Sequence, residues 1–144
     1  MTWLTVHYHP GFSYDLTSWC TAVELNGELL QTVKDYPSRR TIELRSKLSG
    51  VQVAQLKRLV DSMDFDLLSD RTRLPPYWDD AGEIGVRVQA NGICRAFSAQ
   101  ILLWEWQSRR AELDWSSYPG IEAALTLWHA VDGLSPRRLG PQDS

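Results

Sequence analysis

Trp19-Cys20-Thr21-Ala22-Val23-Glu24-Leu25-Asn26-Gly27-Glu28-Leu29-Leu30-Gln31-Thr32-Val33 is the stretch that decides the architecture. Two runs rich in β-branched and apolar residues, 19–25 and 29–33, flank Asn-Gly. That dipeptide suits a two-residue type I′ turn, because both central positions need φ > 0. The stretch therefore predicts an antiparallel hairpin. The same signal returns at Asn91-Gly92, between Ile84–Gln89 and Ile93–Ser98, and predicts a second hairpin.

Working outward, Thr2–Tyr8 reads as a strand in which Trp3, Thr5 and His7 alternate with Leu4, Val6 and Tyr8. Pro10-Gly11 breaks it. Thr41–Leu48 reads as another strand, with Ile42 and Leu44 opposite Glu43, Arg45 and Lys47. Ser49 is placed as an N-cap, and Val53, Leu56, Leu59, Val60 and Met63 recur at helical spacing behind it. The stretch 70–82, with Pro75-Pro76, reads as a surface loop. Residues 100–114 fit either a strand extension through Leu102-Trp104-Trp106 or a partial helix over 103–113. Pro119 opens a last helix with an apolar stripe of Ile121, Ala124, Leu125, Leu127, Trp128 and Val131, closed by Gly133. These elements predict a single α+β domain over 1–134, with an antiparallel sheet of two or more hairpins, two to three helices on one face, and a flexible tail over 135–144.

The 144 residues, 43% hydrophobic and 23% charged, are ordinary globular composition. A chain of this length buries about 68–70% of its unfolded surface and needs no metal or disulfide to fold. A net charge of −3 lacks the basic footprint of a nucleic-acid binder and leaves room for a basic protein partner. Met1–Thr5 shows no basic region followed by an apolar core, and the apolar run Ile101–Trp104 is far too short for a membrane span. The expectation is a cytoplasmic protein with no nucleic-acid or membrane partner, monomeric or a weak homodimer. Cys20 and Cys94 read as buried free thiols, with a disulfide between them left open.

The order hairpin, strand, amphipathic helix, acidic loop, hairpin and helix resembles small bacterial α+β domains of unknown function. Phe65-Asp66-Leu67-Leu68, Asp79-Asp80 and the Asn91-Gly92 hairpin carry the likeness over 19–132, with 100–117 as an insertion. By size and composition the chain also resembles immunity proteins of bacterial toxin systems. That resemblance implies a toxin inhibitor that works by protein binding.

The chemistry-bearing residues form few patterns. His7-x-His9 sets two imidazoles on one strand face, short of the three or four ligands a metal site needs, so no metal and no cofactor is expected. Asp79-Asp80 with Glu83 is an acidic loop cluster that reads first as solvated charge. No nucleophile elbow, dinucleotide fingerprint or phosphate loop is present. The seven tryptophans stand out. Trp3, Trp19, Trp104, Trp115 and Trp128 read as core, whereas Trp78 in the proline-rich loop and Trp106 suit an interface. The expected function is non-catalytic protein binding through Tyr77, Trp78, Asp79, Asp80, Glu83 and Trp106, with a basic toxin domain as the partner. The alternatives are a small hydrolase or metal-dependent enzyme using His7, His9 and loop acids, and a self-associating structural or accessory domain.

Overall fold

Strand-forming runs spread between Thr2 and Ile101 meet in one sheet. The computed structural model describes residues 2–9, 17–35, 38–63, 72–73, 82–90, 92–101 and 121–136. Its elements are β1 (Thr2–His9), β2 (Ser18–Glu24), β3 (Glu28–Lys34), β4 (Thr41–Lys47), α1 (Gly50–Asp61), β5 (Thr72–Arg73), β6 (Gly82–Ala90), β7 (Ile93–Ile101) and α2 (Ile121–Leu134). The strand order is β4-β3-β2-β1-β6-β7-β5. Every pairing is antiparallel except the two-residue contact of β5 with β7. The fold is thus α+β, with two helices among the described residues. No helix among them is long and apolar enough to cross a membrane.

Alternation divides the sheet cleanly. Leu4, Val6, Trp19, Val23, Leu29, Val33, Ile84, Val86, Phe97 and Ala99 point to one face and form a core with Leu56 of α1 and with Leu125, Leu127, Trp128 and Val131 of α2. Both helices cover this face. The α1 start is specified locally: Ser49 Oγ accepts from the Gln52 N–H, and the Gln52 side chain returns the bond to the Ser49 N–H, a capping box.

Trp3 and Leu4 are neighbours, yet both are buried. The β1–β2 register shifts between Thr2 and Leu4, and the extra residue turns Trp3 toward the helices, where Lys57 of α1 lies 6.0 Å from its ring. Trp19 and Trp128 are core as expected, stacked at 5.5 Å.

Several expectations need correction. The first hairpin is not a two-residue turn: the Gly27 N–H donates to the Glu24 carbonyl, so Leu25-Asn26 occupy the centre and Gly27 follows at φ +92°. Only the glycine of the pair takes a positive φ, and a Cβ there would stand 2.9 Å from the Leu48 carbonyl oxygen. That carbonyl is close because the Leu48 N–H donates to the Gly27 carbonyl and ties β4 to the turn. The second hairpin does join Ala90 to Ile93 through two residues, with Gly92 at φ +76°. Cys20 and Cys94 are not buried: both are free and exposed, because alternation places them on the face that neither described helix covers. Gly133 does not close α2, which runs on to Leu134. Ser135, assigned to the tail from sequence, is buried against Thr21 of β2 at 3.1 Å. The sheet core does not extend to Ile42, which is 42% exposed because β4 is the sheet edge.

Candidate functional site

The face that neither described helix covers is where side chains with chemistry gather. β1 lies at the centre of the sheet, and its residues Thr5, His7 and His9 point to this face. Register fixes their neighbours. Across the middle run Glu43, Thr32, Cys20, His7, Gly85 and Ser98, one from each of β4, β3, β2, β1, β6 and β7. His9 faces Glu83, and Thr5 faces Arg87.

His7 is the pivot of this face. Its carbonyl accepts a 2.9 Å hydrogen bond from Trp128 Nε1, so an indole from the core fixes the strand beneath the imidazole. The ring itself lies across β6 over Gly85, where an added Cβ would come 1.8 Å from its Cε1. Only glycine leaves that space, which is why this residue breaks an otherwise strand-forming run. Lying there, His7 Nε2 reaches Glu83 Oε1 at 3.6 Å, with the two side chains 43% and 47% exposed. At that exposure the pair orients more than it stabilises.

Cys20 borders His7 on the opposite side. Although the residue is exposed, loss of solvent around the sulfur raises its pKa above the ordinary thiol value, and the nearby Arg87 charge offsets part of the rise. The thiol is therefore held protonated, the reverse of what a cysteine nucleophile needs. Among the described residues no group of three or more His, Cys, Asp or Glu could hold a metal ion.

Of the six residues expected to bind a partner, Glu83 is described and stands on this face; Tyr77, Trp78, Asp79, Asp80 and Trp106 lie outside the described residues. So do Trp104, Trp115 and the Phe65-Asp66-Leu67-Leu68 motif. His7 and His9 share a face, as their spacing required. Sequence reasoning passed over Gly85, Arg87 and the position of Cys20 beside His7. A glycine inside Ile84–Val88 was the available signal, since an isolated strand glycine marks a close approach. Compared with models of known protein families and with curated protein sequences, the chain matches none.

Proposed function

We propose that the chain is a non-catalytic protein-binding domain, and in its most specific form an immunity-type inhibitor that occludes the basic active site of a bacterial toxin. The observation that carries the reading is the placement of Glu83. It stands half-exposed at the end of the central strands, on the face that neither described helix covers. Asp79 and Asp80 precede it in the sequence by four and three residues, and β6 begins at Gly82. Three carboxylates within five residues, beside Tyr77 and Trp78, give an aromatic anchor with negative charge around it. Such a surface fits a basic cleft: the aromatic supplies affinity and the acids raise the association rate.

The test is capture of a partner by the native chain from its own cell, followed by titration of the partner's activity. A one-to-one loss of that activity supports the reading. Trp78→Ala should weaken binding by roughly 2 kcal/mol or more while leaving the melting temperature in place. The pair Asp79→Ala and Asp80→Ala should slow association at low salt and much less at high salt. A captured protein whose activity is untouched at saturation, or a Trp78→Ala chain that unfolds, sinks it.

A second reading, a hydrolase on His7, His9 and loop acids, has the 3.6 Å His7–Glu83 contact in its favour, since a carboxylate can orient an imidazole base. Turnover of a substrate panel that disappears in both His7→Gln and Glu83→Gln would select it over binding.

A further inference from the structure

The sheet ends on one side in the two-residue β5 and on the other in the seven-residue β4. β4 pairs with β3 over its full length without a register shift, and every residue in it except Leu44 is exposed. A long, regular, uncovered edge presents a row of backbone donors and acceptors to any strand that fits.

Two hydrogen bonds identify which groups are free. The Asp35 N–H donates to the Arg40 carbonyl and the Leu48 N–H donates to the Gly27 carbonyl. Both pairs obey the β3–β4 register, so the even-numbered residues of β4 turn their backbone groups toward β3. Thr41, Glu43, Arg45 and Lys47 then turn theirs outward.

We propose that this edge pairs antiparallel with β4 of a second copy of the chain, with Leu44 on the twofold axis. In that register each outward-turned residue meets another. Glu43 faces Arg45 of the second copy, Arg45 faces its Glu43, and Thr41 faces its Lys47. The Glu43 and Arg45 side chains are 59% and 72% exposed and lie on one side of the strand, so they are placed to reach across. Leu44 meets its own copy in a pair without direct hydrogen bonds, where side chains approach most closely. Moving the axis by one residue opposes Glu43 to Glu43 or Arg45 to Arg45. Charges on an edge ordinarily discourage pairing. Here their order favours one self-pairing and opposes its two neighbours. The result is a closed, self-complementary interface that joins two sheets into one.

Sedimentation velocity on the intact chain, from dilute solution to roughly 1 mM, should show a concentration-dependent dimer. A chain that stays monomeric throughout overturns the proposal. Arg45→Glu places carboxylates against carboxylates twice and should weaken dimerisation roughly tenfold. Adding Glu43→Arg to it restores opposite charges and should return the dimer to within about threefold of the native constant. A dimer indifferent to Arg45→Glu, or a double variant no better than the single, assigns association to another surface. The register is read separately in a Cys20→Ser, Cys94→Ser background. Leu44→Cys should form a disulfide-linked dimer under mild oxidation and Ile42→Cys should not; the opposite result overturns the assignment.

Discussion

On the helix-covered face, the row crossing the sheet through Val6 reads Leu44, Gln31, Thr21, Val6, Val86, Phe97; one residue along, the open-face row reads Glu43, Thr32, Cys20, His7, Gly85, Ser98. The same strands thus carry two different solutions to placing polar groups. On the covered side Thr21 and Gln31 are fully buried. Thr21 shows how such a group is kept. The Ser135 hydroxyl donates its proton to the Val131 carbonyl at 2.8 Å, so at 3.1 Å it can only accept from Thr21. The bond fixes the end of α2 to the centre of the sheet. On the open side His7 shows another way, its position set by space: the ring lies where Gly85 has no side chain. Burial makes the first face a matter of stability, whereas the second keeps its side chains accessible.

The largest expected effect breaks this contrast at its covered side. Trp128→Ala removes a wholly buried indole, its stack on Trp19 and its bond to the His7 carbonyl. It should cost about 3–5 kcal/mol in urea unfolding or abolish folding. His7→Ala, on the other face of the same contact, should stay within about 1 kcal/mol of the native chain. A His7→Ala loss as large as that of Trp128→Ala would show that the open face is structural after all.

A middle-sized effect sharpens the account of His7. Gly85→Ala must evict the imidazole, and because the ring is half-exposed it can swing into solvent. The expected cost is about 1 kcal/mol, and it should vanish in a His7→Ala background, where alanine is the better strand residue. Equal costs in both backgrounds would place the obstruction elsewhere than in the ring.

The smallest effect is chemical. With its pKa raised by loss of solvent, Cys20 holds less thiolate at neutral pH than an ordinary exposed cysteine. Alkylation should be slow near pH 7.5 and should still be accelerating as pH passes the ordinary thiol range. Arg87→Gln removes a charge that lowers this pKa, so it should slow the reaction further. A faster reaction in Arg87→Gln would mean that the guanidinium shields the sulfur instead of polarising it.

How much was legible follows from the range of each interaction. Alternation in Val6–Tyr8, Trp19–Val23 and Leu29–Val33 is a period-two signal carried by single strands, so these strands were readable to within a residue or two. Ser49 caps α1 within one turn, and Trp128 falls on a helical stripe, so both were visible as well; the return bond from Gln52 was not read. The turn at Asn26-Gly27 was misread although its residues are local. What holds Gly27 is the Leu48 backbone 21 residues away, and a dipeptide carries no record of it. The thiols were misread for a related reason: alternation says that Cys20 and Val23 lie on opposite faces, but not which face the helices will cover.

By itself, then, the sequence determined the α+β class, the six strands other than β5, the Ser49 cap of α1, the apolar stripe of α2 and the shared face of His7 and His9; the stretch 70–82, read as loop, holds β5. Each of these depends on a periodicity or a contact spanning a few residues. The tertiary structure alone decided that β1 would stand between β2 and β6, that His7 would lie over Gly85 and reach Glu83, that Thr21 would meet Ser135, and that β4 would be left as an edge. The β1–β6 pairs, the His7 contacts and the Thr21–Ser135 bond join residues 74 to 114 positions apart, and the edge depends on where the sheet stops. Such distances are set by which strand pairs with which, a choice made by the burial of the whole core and not by any one segment.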